Sequence, residues 1–327
     1  MSSGPEYLPL PGVASNIEIP QVLEFPALAL SGSITALATP FSGREASLDF
    51  DACAALIDYQ LAGGTSAIVM AGSTGEAAAL DEREYCELLA FAARRIARRV
   101  PVLAGTGLSS TKKTIVQTQR ARDAGVDIAL VVTPPYVRPT QEGLYRHFSE
   151  VAEHGGLPVV LYNVPTRTAC DLLPETASRL AGHGNIVGIK EARPEPERMS
   201  ALLEFADERF RVLSGDDPTA MDAMLAGAAG VISVASNVAP GHMAALCGRA
   251  LAGDAAGAKA ADAKLRPLYE FLGAEPNPIP VKWCLSRIGI GTPDLRLPLL
   301  PLSSAYHAQG TDVLVRLGLI EAERAVS

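Results

Sequence analysis

The first thirty residues contain neither lysine nor arginine. That lack removes the cationic start of a secretory signal, and Pro5, Pro9, Pro11, Pro20 and Pro26 interrupt every apolar run there. Long basic tracts are missing throughout, and the net charge is −8. Nucleic acid and anionic membrane surfaces are thereby excluded as main partners. Cysteine is scarce and scattered: Cys53, Cys86, Cys170, Cys247 and Cys284 make an odd number with no CxxC pair. Neither a disulfide framework nor a zinc site fits that pattern, which suits reduced thiols in the cytoplasm. The sequence shows no cluster with metal-ligand spacing. Only the stretch 223–241 is long and uncharged enough to consider as a membrane span. Gly227, Gly230, Asn237 and Pro240 interrupt it, and it reads as a helix end followed by the strand "GVISVAS".

What the chain does have is a core, with 48% hydrophobic residues, and a rhythm. Short apolar runs recur: "SITALAT", "TSAIVMAG", "VPVLAGT", "VDIALVVT", "LPVVLYN", "NIVGIK", "RVLSG" and "GVISVAS". Helix-like stretches at 48–62, 81–99, 111–124, 141–154 and 174–182 lie between them. Asp81 and Thr111 stand where helices should start, and Gly63, Gly125 and Gly182 where they should stop. Eight strands alternating with helices predict an α/β protein, a closed (β/α)8 TIM barrel. An open dinucleotide-binding sheet would want GxGxxG after a strand, and "GSTGEA" lacks that spacing. The expected organisation is a proline-rich arm over 1–30, a barrel over 31–240 and a C-terminal helical extension over 241–327. In the extension, "NPIPVKWCLSRIGI" starts a helix behind a pair of prolines.

Barrel active sites form where strands end. The sixth strand ends on Lys190, the only lysine to close a strand; Lys112, Lys113, Lys259, Lys264 and Lys282 fall in helix-like stretches. The second strand ends in Ser73 and Thr74, the fourth near Tyr136, the fifth in Tyr162 with Arg167 beyond, and the seventh in Gly215. Each has a plain reading: a snorkelling surface lysine, hydroxyls capping a helix, a tyrosine at a core edge, an arginine paired with Asp171. Asp216 and Asp217 are read as helix caps. Taken together, the lysine, phenol, hydroxyls and arginine on one rim form a site for handling carbonyl compounds. A neutral amine attacks a ketone, a phenol moves protons, and hydroxyls and a guanidinium grip carboxylates. An ordinary lysine is neutral in roughly one molecule in 2,500 at pH 7. Burial between apolar strands favours the neutral form.

Carried by "GSTGE", "VTPPYVRPTQEGLYRHF", "YNVPTRT", "GIKEA", "LSGDD" and "GVISV", the chain resembles the pyruvate-dependent class I aldolases and lyases, the family of dihydrodipicolinate synthase and N-acetylneuraminate lyase. The resemblance runs from about residue 31 to 322, and "EPNPIPVKW" and "LRLPLLPL" look like the synthase branch. It implies an imine between pyruvate and Lys190, with no metal or organic cofactor. Tyr162 is implied as the centre of a proton relay, with Ser73 or Thr74 on one side and Tyr136, given across a dimer interface, on the other. Thr74 and its neighbouring amides would hold the pyruvate carboxylate, and Arg167 that of L-aspartate 4-semialdehyde. Gly215 and Ile232 would supply backbone groups near the lysine, and the assembly would be a homotetramer.

Two departures stand out. Ser73 occupies a position where many synthases carry threonine, and Ala169 one where glycine is common, which is expected to narrow the aldehyde pocket. Rival readings are an aldolase of the same family acting on a sugar acid, and a catalytically silent binding protein. The cleft where regulated relatives bind lysine matches Ala77, Glu82, Tyr85, Ser109, Lys113 and Pro135, with a cation at Lys113 where those relatives carry a glutamate. Insensitivity to lysine is the expectation.

Overall fold

The computed structural model describes residues 30–321. Apart from Leu30, the proline-rich arm lies outside the described residues. Eight strands form the barrel: β1 (Gly32–Ala36), β2 (Ala67–Met70), β3 (Val102–Gly105), β4 (Ile128–Val132), β5 (Val159–Asn163), β6 (Ile186–Glu191), β7 (Arg211–Ser214) and β8 (Gly230–Ser233). Each falls within one of the eight apolar runs or overshoots it by a single residue. All are parallel, and the sheet closes where β1 pairs with both β2 and β8. Strands covered on both faces need apolar residues at nearly every position, which is how these runs read. Inward-facing Ile34, Leu103, Leu130, Val160, Leu213 and Ile232 fill the barrel, and a larger core lies between strands and helices.

Helices follow the strands in turn: α1 (Phe50–Ala62), α2 (Glu82–Ile96), α3 (Thr111–Asp123), α4 (Gln141–His154), α5 (Pro174–Ala181), α6 (Pro196–Leu203), α7 (Asp217–Leu225) and α8 (Pro240–Leu251). Asp81 caps α2 in a reciprocal box with Glu84, worth about 1 kcal/mol at such a terminus. Helix α6 was not anticipated by the sequence pattern, and α7 was read only through its capping aspartates and its end before β8. Each is short and carries a proline in its first turn, where the missing N–H costs nothing. A two-stranded ribbon, Phe41–Ser42 with Ser47–Leu48, was also missed.

The stretch 223–241 divides as expected, into the end of α7, strand β8 and the start of α8. Among the described residues, no helix is long and apolar enough to cross a membrane. Beyond the barrel lie α9 (Ala255–Leu272), α10 (Ile279–Arg287) and α11 (His307–Arg316). Helix α10 is buried nearly all round, Lys282 included. The Lys282 ammonium lies 2.7 Å from the Glu76 carboxylate, with both side chains almost wholly buried. Burial pulls the Lys282 ammonium down, and the Glu76 carboxylate opposes that pull. The Arg296 N–H donates to the other oxygen of Glu76 at 3.1 Å, while its guanidinium grips Glu84. The extension is thus fastened to the loop after β2.

Candidate active site

Parallel pairing of β5 with β6 makes Tyr162 and Lys190 direct Cα partners. Lys190 is 4% exposed and Tyr162 8% exposed, so the surface-lysine reading fails. The Lys190 Nζ lies 4.4 Å from the centre of the Tyr162 ring, within reach of its π face. Gly215, at the end of β7, makes room for the lysine stem. A Cβ there would come 2.9 Å from Lys190 Cε and 3.0 Å from its Cγ. Ile232 on β8 is buried in the barrel interior.

A cavity of about 370 Å³ opens at these strand ends, lined by Ser73, Tyr162, Arg167, Thr168 and Lys190 among others. It brings the lysine, the phenol, one hydroxyl and the guanidinium to a single space. Thr74 stands behind that wall, buried, with its Oγ1 accepting from Asn277 Nδ2 at 2.9 Å. In the same loop, the Gly75 and Glu76 N–H groups close back on the carbonyls of Gly72 and Ser73. The Ser73 and Thr74 N–H groups find no acceptor among the described residues. Two adjacent N–H groups without acceptors are available to an anion.

Tyr136 is not in the cavity. It sits on the loop after β4 with φ of +74° and is 92% exposed. A single chain therefore presents this phenol outward. A wider depression between α1 and α2, lined by Asp58, Arg94, Arg95 and Arg99, lies at the opposite end of the barrel from the strand ends. Among the described residues, one trio could in principle share a cation: Glu150, Glu153 and His154, exposed on α4.

Two sequence readings need correction, and the plain alternative for Arg167 fails. Arg167 does not pair with Asp171; its Nη2 donates to the Asn277 carbonyl at 3.2 Å. Asp171 is instead taken by Arg193, Arg198 and Asn163. Of the two aspartates after Gly215, Asp216 does cap α7, but Asp217 turns away to accept the N–H groups of Val234 and Ala235. Ala169 does not narrow the cavity. It closes the short turn Pro165–Thr168 with φ of +56°, and its side chain is not part of the lining. That left-handed backbone is where glycine sits without strain.

Behind the reactive face lies a polar pair that the sequence reading passed over. Asn163 and Glu191 follow Tyr162 and Lys190 and are themselves Cα partners. Asn163 Nδ2 donates to both oxygens of Glu191, at 3.1 and 3.0 Å, and the Arg193 N–H donates to one of them at 2.9 Å. Burial pushes the Glu191 carboxyl up to about 7, against the pull of those donors. Asn277 and Lys282 were missed too, although a lysine inside the apolar run "IPVKWCL" has no solvent face to occupy.

Comparison with known proteins bears on the family and the fold. Residues 29–316 match the family described as the dihydrodipicolinate synthetase family. A 4-hydroxy-tetrahydrodipicolinate synthase of Xanthomonas axonopodis pv. citri is 61% identical over 280 residues, spanning 86% of this chain and 92% of that protein. Among solved structures, the chloride-inhibited dihydrodipicolinate synthase of Acinetobacter baumannii, complexed with pyruvate, is 43% identical with a TM-score of 0.87. It covers 89% of this chain and 99% of that one. A monomeric dihydrodipicolinate synthase variant gives a TM-score of 0.88 at 40% identity, covering 90% and 99%.

Proposed function

We propose that this chain, which belongs to the dihydrodipicolinate synthetase family, condenses pyruvate with L-aspartate 4-semialdehyde to 4-hydroxy-tetrahydrodipicolinate, a lyase-class step in lysine and diaminopimelate synthesis. The observation that carries the reading is the buried Lys190 amine beside the Tyr162 ring, in a cavity that also holds Ser73 and Arg167.

In this reading the Lys190 nitrogen attacks the C2 carbonyl of pyruvate, and the carbinolamine loses water to give an imine. Loss of a methyl proton converts the imine to an enamine, whose terminal carbon attacks the aldehyde. The substrate's own amine then displaces Lys190 by transimination, closing the ring and freeing the lysine. The imine is itself the electron sink, so the chemistry calls for no metal or organic cofactor.

Tyr162 carries protons to and from the carbinolamine and the new alkoxide, relayed by Ser73 on one side and Tyr136 on the other. The 92% exposure of Tyr136 supports its assignment to a neighbouring subunit's site, within a dimer and then a tetramer. The unpaired Ser73 and Thr74 amides support a role in holding the pyruvate carboxylate. Arg167 is assigned to the second substrate's carboxylate, which argues against a sugar-acid partner lacking one at that place. Gly215, which packs against the lysine stem, and Ile232, buried in the barrel interior, are assigned to supply backbone groups near the lysine. Five free cysteines suit a cytoplasmic protein.

The test combines two measurements. Turnover is followed with pyruvate and aspartate semialdehyde in an assay coupled to reduction of the product. Borohydride is then used to trap the pyruvate adduct for mass mapping. A reduced pyruvyl group on Lys190, with loss of most turnover in Lys190→Ala, is expected. An adduct on a different lysine in active enzyme refutes the mechanism, and adduct formation without turnover refutes the aldehyde.

A further inference from the structure

We propose that Asn277 is a positioning residue for pyruvate: it lies outside the barrel and sets the hydrogen-bonding direction of Thr74. The proposal deepens the reading above and rests on it.

Asn277 lies on the connection between α9 and α10, in the extension and more than two hundred positions from the loop it braces. Its side-chain nitrogen donates to Thr74 Oγ1 at 2.9 Å. Its main-chain carbonyl accepts from Arg167 Nη2 at 3.2 Å. Its side-chain oxygen is buried with no hydrogen-bond partner among the described residues. The amide is therefore held by the single bond it gives to Thr74, since no described residue answers its acceptor. Burying an unanswered amide oxygen is costly.

An amide nitrogen can only donate, so Thr74 Oγ1 must act as acceptor in this contact. The hydroxyl keeps its own proton for another partner. With the unpaired N–H groups of Ser73 and Thr74 in the same loop, that proton gives a third donor to a carboxylate. The two assigned carboxylate grips thus hang on one residue by different atoms. The Asn277 side chain serves the pyruvate end through Thr74. Its backbone carbonyl serves the aldehyde end through Arg167. Side-chain substitutions should separate the two substrates, because they leave the carbonyl in place.

Aspartate is the discriminating replacement. It is nearly isosteric, so a residue that merely fills space should tolerate aspartate better than alanine. If Asn277 works by donating, aspartate reverses the bond: its carboxylate takes the Thr74 proton and adds a negative charge next to the place for an anion. Steady-state kinetics of the full-length enzyme should show the pyruvate KM raised roughly 3- to 10-fold in Asn277→Ala, the scale of one lost hydrogen bond. Asn277→Asp should raise it at least about ten-fold further, with the aldehyde KM within about two-fold in both variants. In a Thr74→Val background the gap between the Ala and Asp substitutions should shrink, since the hydroxyl they act through is gone and only the added charge of Asp remains.

An aspartate variant as good as alanine or better overturns the proposal, because it means that Thr74 donates to Asn277. A gap between Ala and Asp that is undiminished in Thr74→Val overturns it too. If Asn277→Asp does not fold by circular dichroism, Asn277→Leu replaces it: a pyruvate KM like that of Ala supports the role, and one like wild type refutes it. Borohydride trapping of pyruvate on the unaltered enzyme is scored first. No adduct on Lys190 removes the reading of the whole site and this role with it, whereas an adduct with the wrong order of variants removes Asn277 alone.

Discussion

Lys190 and Tyr162 are paired across adjacent parallel strands, so the amine and the phenol ring are held 4.4 Å apart by sheet register and not by a loop. The outward-facing neighbours Glu191 and Asn163 repeat the pairing one residue later. A slip of one residue in either strand would turn its reactive group out of the barrel and break the pair.

Gly215→Ala tests how tightly this register packs the lysine. A methyl group 2.9 Å from Lys190 Cε must displace the stem or the β7 end. Turnover and the rate of pyruvate adduct formation should fall at least about ten-fold, while the melting temperature shifts only a few degrees. Unchanged trapping rates would show that the stem has slack.

Arg167→Ala should raise the aldehyde KM by about a hundred-fold or more, because a charge-assisted grip on a carboxylate is lost. The pyruvate adduct on Lys190 should still form. Equal damage to both half-reactions contradicts the assignment.

Tyr136 is expected to act in the neighbouring subunit. Mixed dimers of Tyr136→Phe and Lys190→Ala chains should regain activity, since one of their two sites holds both intact residues. No gain in isolated mixed dimers counts against the shared site.

Glu191 makes a prediction about pH. Its carboxyl is raised in the folded protein, from 4.5 to about 7, chiefly by burial. The folded state then binds the proton more tightly than the unfolded chain, so this contribution to stability is fully present below about pH 4.5. It is lost as pH rises through about 7. Relative to Glu191→Gln, the wild-type protein should gain roughly 3 kcal/mol on going from pH 8 to pH 5, at 1.36 kcal/mol per pK unit. Urea titrations of both proteins at several pH values measure it; a constant difference means that the carboxylate stays ionised.

Lysine should not inhibit at physiological levels. The cleft positions are occupied otherwise: Tyr85 donates to the Gly105 carbonyl at 2.9 Å, and Ser109 to the Pro135 carbonyl at 2.9 Å. Glu82, the one anion able to re-aim the ligand, is held by Arg120 at 2.5 Å. Lys113 puts a cation where an ammonium needs an anion. Two unit charges about 4 Å apart interact by roughly 4 kcal/mol at an effective dielectric near 20, before solvent screening. Half-inhibition below about 1 mM in the coupled assay refutes this.

The eight strands were legible because burial on both faces leaves few polar positions to blur an apolar run. Lys190 stood out for the same reason, as a charge where the pattern allows none. Helix α6 was overlooked although Pro196 marks its first turn, because eight residues give few periods to read, whereas α7 was legible only through its capping aspartates and its end before β8. Asn277 and Arg296 could not be placed from sequence at all. Their partners Thr74, Arg167, Glu76 and Glu84 lie more than a hundred positions away, and only closure of the barrel brings them near. The plain alternative for Arg167, a pair with nearby Asp171, rested on closeness in sequence, which the turn over Pro165–Thr168 defeats.

The brace on Glu76 also bears on how the protein is made. Glu76 leaves the ribosome early, while Lys282 follows 206 positions later and Arg296 220 positions later. A nascent chain that has already completed β8 at Ser233 owns every strand of the barrel, yet still holds a carboxylate destined for burial with no cation to meet it. Removing one partner of such a pair typically costs 3–5 kcal/mol. The Ser73–Thr74 loop is therefore expected to settle only once residues 282–296 have been made. Products that stop between Ser233 and Lys282 should be inert barrels.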